Sequence, residues 1–262
     1  MKKICFAILV HEKREIVEDL VENVRYFCPN STIVLYNGGY DATLCHGLGV
    51  PVCPASKKLH YGMTALYMLE TMKWVHESGI GYDYLITMDS DALFAKRGFE
   101  EWVEREMQDA DFMGFNAGTR WPGWDPWEQI LQEWEKWREI LNTDNFDFLG
   151  VFGVGQTFSR DAVDRFLNFE RIAEVQANLQ RTTAWGIDEV IFVNLARRLG
   201  LRLKSYPLDR ERNEYDTTRY RPYFTADEVR HCVRHHPHGF LYHPVHRDLD
   251  DEARVFVQEL RK

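Results

Sequence analysis

No apolar run in this chain approaches the roughly 18 residues needed to cross a bilayer, so no membrane span is expected. Cysteine is scarce. Cys5, Cys28, Cys45, Cys53 and Cys232 are five in number, with no CxxC pair, which argues against a disulfide framework and against a thiolate zinc site. No GxGxxG follows the first apolar segment and no GxxxxGK[ST] occurs, so a dinucleotide dehydrogenase and a P-loop NTPase both lose support. HExxH, internal repeats, low-complexity tracts and linkers are also missing. Basic residues are outnumbered 32 to 41, for a net charge of −9. A surface of that sign repels a phosphate backbone, so no nucleic-acid partner is expected. What the chain does have is apolar mass: 45% of its 262 residues, with eight tryptophans. That excludes disorder and collagen-like fibres and leaves a soluble enzyme as the default class. The opening MKKICFAILV runs into the charged His11-Glu12-Lys13-Arg14-Glu15 rather than into a small-residue cleavage site. It reads as a buried first strand, not a signal peptide, and a cytoplasmic location is expected.

The first half alternates strands with helices. Residues 4–10 are continuously apolar, as in a strand covered on both faces. Ile16, Val17, Leu20, Val21, Val24 and Phe27 follow at helical spacing, and 32–36 and 84–88 read as further strands around a helix near 62–77. Strands and helices in that order predict a parallel sheet with right-handed crossovers. Ligands of such sheets bind beyond the carboxyl ends of the strands. Those ends are Val10-His11, Asn37-Gly38-Gly39 and Asp89-Ser90-Asp91. In the second half, helices are expected over 100–108, from Asp125 through Leu141, over 161–169 and over 188–199. Asp125, Pro126 and Glu128 read as N-cap, N1 and N3 of one helix. Short strands are expected near 110–115 and 201–206, followed by an irregular, histidine-rich tail.

Two carboxylates one residue apart, leaving a strand, can reach one hard divalent cation. Without a metal or a proton their repulsion costs stability. An Asx-turn is the plain structural reading of the same tripeptide. The segment YDYLITMDSDALF resembles the strand-then-Asp-x-Asp element of nucleotide-sugar-dependent glycosyltransferases of the GT-A fold, and ILVHEKREIVEDLVENV is similar to their opening strand, loop and helix. The resemblance implies a single Rossmann-type α/β/α sandwich over 1–262 with a mainly parallel central sheet. Residues 1–94 would form the nucleotide-binding half, with Val10, His11, Asn37, Asp89, Ser90 and Asp91 at the donor. Residues 95–262 would bind the acceptor and complete the metal site. It also implies Mn²⁺ or Mg²⁺ on Asp89 and Asp91, a nucleotide-sugar donor with UDP the commonest carrier, and a glycan or small-molecule acceptor.

AWGIDEVIFVNLARRLG is similar to the acidic helix start that lines the acceptor pocket in such enzymes. Asp188 and Glu189 are therefore the candidates for the general base, with the choice between them open. A helix N-terminus favours the ionised carboxylate such a base requires. The order Asp-Glu departs from the commonest inverting pattern, Glu-Asp, so inverting and retaining chemistry both stay open. Six of ten histidines fall between 231 and 246. YHPVHR resembles the late segment that supplies a further metal ligand, His243 first and His246 second, and Arg247 beside it could contact the diphosphate. A separate zinc site within the histidine cluster is the other reading.

Trp127 and Trp134 fit a helix stripe and so the core. Trp121 and Trp124 precede that helix in a Gly/Pro loop, where indole faces can shape an acceptor site, and Trp185 stands just ahead of the acidic pair. Gly155 and Gln156 lie in a glycine-spaced stretch that either lets backbone approach a sugar or marks a tight strand crossing. Two rival functions remain. A haloacid-dehalogenase-type phosphohydrolase would use Asp89 as nucleophile and Asp91 as acid/base, although Leu93 and the third-strand position count against it. A non-catalytic carbohydrate-binding protein would leave Asp89-Ser90-Asp91 without a purpose.

Overall fold

In the computed structural model, residues 2–11, 13–118, 124–143, 147–208 and 216–262 are described. The first strand, β1 (Ile4–Val10), is buried at all seven positions. Its side chains alternate between two cores, Ile4, Phe6, Ile8 and Val10 entering one and Cys5, Ala7 and Leu9 the other. That two-residue period places β1 in the middle layer of a sandwich and explains why its sequence is apolar throughout. After it come α1 (Arg14–Phe27), β2 (Thr32–Asn37), α2 (Ala65–Glu77) and β3 (Tyr84–Asp89). Both β2 and β3 pair with β1 in parallel.

The chain continues through β4 (Leu93–Phe94), α3 (Phe99–Glu106), β5 (Phe112–Gly114), α4 (Asp125–Gln132), α5 (Trp134–Leu141) and β6 (Thr157–Ser159). It ends with α6 (Arg160–Leu167), α7 (Ile172–Arg181), α8 (Asp188–Arg198), β7 (Leu203–Ser205), α9 (Ala226–His235), β8 (Leu241–Tyr242) and α10 (Glu252–Glu259). The central sheet has the order β2-β1-β3-β6-β5-β7, with β6 antiparallel to both its neighbours. A separate ribbon joins β4 to β8 in antiparallel pairing. One core lies under α1, α3, α9 and α10, and the other under α2 and α4 to α8. The architecture is thus α/β with a mostly parallel six-stranded sheet flanked by helices. Among the described residues no helix is long and apolar enough to cross a membrane.

Two expectations need correction. The helix from Asp125 to Leu141 is two helices, broken at Glu133, and Trp124 rather than Asp125 stands at its N-cap. Glu133 is buried and its carboxylate accepts hydrogen bonds from Thr182 Oγ1 and Thr183 N, at 2.8 and 3.0 Å. Turning that carboxylate inward secures the α7–α8 connection at the break. The tail is not irregular either. A capping box between Thr225 and Glu228 starts α9, Asp251 caps α10, and β8 binds the ribbon.

Candidate active site

A cleft of about 340 Å³ opens at the carboxyl ends of the parallel strands. His11 enters it from the end of β1, Gly38 to Tyr40 from β2, and Asp89 and Asp91 from β3. The opposite wall is Phe152 to Val154 and the start of α8, from Trp185 to Glu189, and the rim carries Tyr220, Arg221, His243 and Arg247. The fold therefore gathers both acidic pairs, nearly a hundred positions apart in the chain, into one space.

The first acidic pair is flanked by one guanidinium, of Arg247, and two imidazoles, of His11 and His243. Asp89 Oδ1 accepts from Ser90 N at 2.6 Å and from Arg247 Nη2 at 3.1 Å, with His11 Nε2 at 3.7 Å. Burial opposes ionisation of Asp89, but His11 and the charges of Arg247 and His243 outweigh it and hold its carboxyl well below the usual range. Asp91 Oδ2 lies 3.2 Å from the same Arg247 Nη2, while Arg247 Nε donates to Ser90 Oγ at 2.9 Å. On the other side, Asp91 Oδ1 stands 3.1 Å from His243 Nε2 yet is buried without a hydrogen bond. His243 Nδ1 is 3.1 Å from the carbonyl oxygen of Arg219. A carbonyl only accepts, so Nδ1 carries the proton and Nε2 turns its other face to Asp91. Two such atoms at that separation call for a shared cation, either a second proton on the ring or a metal ion. Among the described residues no three His, Cys, Asp or Glu side chains converge as a ready-made metal cage. Asp91 and His243 are the pair that stands closest to one.

The second acidic pair sits at the first turn of α8. Asp188 is buried, and burial, helped by the charge of Asp89, pushes its carboxyl from 3.8 up to about 6 against a hydrogen bond from Thr64. Its Oδ1 has no hydrogen-bond partner. Glu189 is half-buried and accepts from Gly153 N at 3.1 Å and from the Trp124 side chain. Burial and the neighbouring Asp188 raise its carboxyl well above the usual range. Gln156, fully buried, donates through Nε2 to the Asp188 carbonyl at 3.0 Å and so anchors the helix start.

Of the residues singled out in the sequence, His11, Asp89, Asp91, Trp185, Asp188, Glu189 and His243 line the cleft. Val10 is fully buried and accepts from Gly38 N through its carbonyl, while Asn37 ties the 37–41 turn through Asp41 O and Gly39 N. Ser90 lies beneath the cleft floor. His246 is exposed and stacks on Tyr223 with ring centres 3.6 Å apart, away from the acidic pair. Gly155 serves packing, since a Cβ there would meet the Phe115 ring at 2.8 Å. Gly153 is the glycine that faces the site: its Cβ would lie 2.7 Å from Asp188 Oδ2. Trp121 lies outside the described residues. Among the described residues no three of the tail's histidines converge as a separate metal site; His231 and His235 pair their rings on an exposed face of α9, while His243 goes to the cleft.

Sequence reasoning missed the aromatic rim. Tyr40, Tyr61 and Tyr220 are 86%, 76% and 56% exposed, the most exposed large hydrophobic side chains among the described residues, and all three line the cleft. Tyr61 and Tyr220 join hydroxyls across its mouth at 3.1 Å. No periodicity announces them, for each stands alone in a loop. Compared with known proteins, the sequence matches no family, and the search of curated proteins finds no relative.

Proposed function

We propose that the chain is a metal-dependent glycosyltransferase of the GT-A type that moves a sugar from a nucleotide-sugar donor, UDP-linked by first choice, to an acceptor hydroxyl. The observation that carries this reading is the meeting of two acidic pairs of opposite character in one cleft. Asp89 and Asp91 share the Arg247 guanidinium, with His11 and His243 beside them, and suit a diphosphate–metal complex, whereas Asp188 is buried and poised near neutrality with an unpartnered oxygen. The antiparallel β6 within an otherwise parallel sheet and the separate β4–β8 ribbon are compatible with a GT-A domain.

The donor atoms present fit a divalent ion. Ligands on adjacent positions of an ion with bonds of about 2.1 Å lie about 3 Å apart, the separation found between Asp91 Oδ1 and His243 Nε2. Asp91 and His243 would hold Mn²⁺ or Mg²⁺, with Asp89 beside them, and the ion would neutralise charge on the leaving diphosphate. The chain's own groups do the rest. The Asp188 carboxylate takes the acceptor hydroxyl proton as the oxygen bonds to the anomeric carbon, and the carbon–oxygen bond to the diphosphate breaks with its electron pair leaving on the nucleotide. A base in that position serves an inverting displacement. Glu189, braced by Gly153 N and Trp124, positions the helix start. Trp185, Tyr61 and Tyr220 offer ring faces to the C–H face of a sugar. A phosphohydrolase would leave the buried Asp188 in the same cleft without a task.

The test is a thermal-shift panel of UDP, GDP, CMP and dTDP, each with and without Mn²⁺, on the wild type and Asp91→Asn. Ligand at a hundredfold excess over Kd stabilises the fold by about 2.7 kcal/mol. One nucleotide should raise the melting point, only with Mn²⁺ and only in the wild type. Folded protein that responds to none of the four sinks the proposal.

A further inference from the structure

We infer that Arg247 is the resident counter-ion of the Asp89/Asp91 pair and a competitor of the divalent ion, so that metal and nucleoside diphosphate bind this cleft as a couple rather than singly. The inference rests on the glycosyltransferase reading and goes beyond it to the order of assembly. It starts from a geometry in which one nitrogen, Arg247 Nη2, stands 3.1 Å from Asp89 Oδ1 and 3.2 Å from Asp91 Oδ2. The guanidinium thus sits where a cation bridging both carboxylates would sit. Its Nε is fixed on Ser90 Oγ, a buried hydroxyl between the two aspartates. All three residues of the motif are therefore engaged by this one side chain.

The segment carrying Arg247 is itself fixed. Val245 N donates to the Asp91 carbonyl at 2.8 Å, and the fully buried Arg254 donates through Nε to the His246 carbonyl at 3.1 Å. Only three residues separate His243, which faces Asp91 Oδ1, from Arg247, which faces Asp91 Oδ2. One short strap therefore presents a metal ligand to one oxygen of a carboxylate and a positive charge to the other. An ion entering on the Oδ1 side meets that charge across the width of a single carboxylate, between side chains only 6% and 20% exposed, where solvent screens it less than at the surface. Arg247 already cancels half of the two aspartate charges, which leaves less to attract a divalent ion. A diphosphate reverses the balance. It supplies negative charge for the ion, and its oxygens match the planar fork of a guanidinium, which can turn from carboxylate to phosphate. By linkage, whatever the diphosphate gains from the ion the ion gains from the diphosphate.

The experiment titrates Mn²⁺ by calorimetry into the intact protein, first without nucleotide and then with saturating UDP, for wild type, Arg247→Gln and Arg247→Lys. Without nucleotide, the Gln variant should bind Mn²⁺ at least about tenfold more tightly than wild type, and the Lys variant should fall between them. Saturating UDP should tighten Mn²⁺ binding by a larger factor in wild type than in Arg247→Gln. Melting curves give a second readout: Mn²⁺ alone should raise the melting point of the Gln variant more than that of wild type. Should the Gln variant fail to fold, the Lys variant carries the same comparison. Mn²⁺ affinity that does not change on substitution, or no Mn²⁺ binding to any form, overturns the inference. The nucleotide-free arm keeps this distinct from failure of the glycosyltransferase reading, which would show as absence of nucleotide binding in every form.

Discussion

Gly153 offers the sharpest test of the second acidic pair. Its φ is not in the left-handed region, so alanine fits the backbone there. The added Cβ, however, would stand 2.7 Å from Asp188 Oδ2 and 3.3 Å from Glu189 Oε1. Contacts between a C–H carbon and an oxygen settle at about 3.3 Å or more, so the Asp188 carboxylate has to retreat by roughly half an ångström. A misplacement of about 1 Å at a reacting group costs on the order of a hundredfold in rate. Gly153→Ala should therefore lose tenfold to a hundredfold in kcat, by that same scaling taken as order of magnitude. Stability falls by no more than about 2–3 kcal/mol, which leaves the protein folded at the assay temperature. The overpacking penalty of about 1–3 kcal/mol is offset in part by about 0.4–1 kcal/mol from the stiffer unfolded chain. The assay is release of nucleoside diphosphate from the nucleotide sugar identified by the thermal-shift panel, alongside a melting curve. Gly81→Ala is the control, since its Cβ meets only Lys3, no nearer than 3.8 Å. Wild-type kcat in Gly153→Ala, or a loss that merely tracks unfolded protein, would refute the placement of the acceptor carboxylates.

The other predictions concern protons and the C-terminal latch. Asp188 titrates in the folded protein at about 6 instead of 3.8, so between those values the native state holds a proton the unfolded chain has released. Stability from this group falls as pH rises through that window, while activity rises through it, because only the ionised carboxylate is a base. The acid limb of kcat/KM should therefore bend near 6, and Asp188→Asn should lower kcat by about 10²–10⁴. A flat profile from pH 4 to 8 would remove Asp188 from that role. Asp89 has the opposite sign: its carboxyl is held below the usual range, so its contribution is present above the unfolded value and is lost as pH falls through the folded one. Asp19, buried between α1 and α10, accepts from Arg254 Nη1, Gln258 Nε2 and Arg261 Nη2. Asp19→Ala leaves the buried Arg254 charge uncompensated and should cost about 3–5 kcal/mol in urea unfolding. A loss under 1 kcal/mol would show that the latch carries no such load.

The layered fold was legible where burial dictates sequence. β1, β2 and β3 are covered on both faces, so each had to be a continuous apolar run, and α1 displays its buried side at helical spacing. The break at Glu133 was not legible, because the residue that interrupts the helix is a good helix former. What turns it inward is a pair of threonines about fifty positions away. The tail illustrates a different loss. Its histidines drew attention away from ordinary helix starts, Thr225 with Glu228 and Asp251, which satisfy orphaned N–H groups without any apolar signal.

The candidate site divides along the same line. Asp89 and Asp91 could be picked out because strand ends are where a parallel sheet delivers side chains, whereas Asp188 and Glu189 were named from the similarity of their helix start. His243 and Arg247 could be named from a short similarity, but not their arrangement. Their positions follow from β8 pairing with β4 immediately after Asp91, and from Val245 N bonding the Asp91 carbonyl. The strap is then pinned from behind by Arg254, whose charge is satisfied by Asp19 on α1. One chain of contacts thus runs from the first helix, through the last, to the cations around the motif. A local pattern can say that two aspartates need a positive partner. Only closure of the sandwich decides whether that partner is an imidazole, a guanidinium or both, and here it sets one on each oxygen of Asp91.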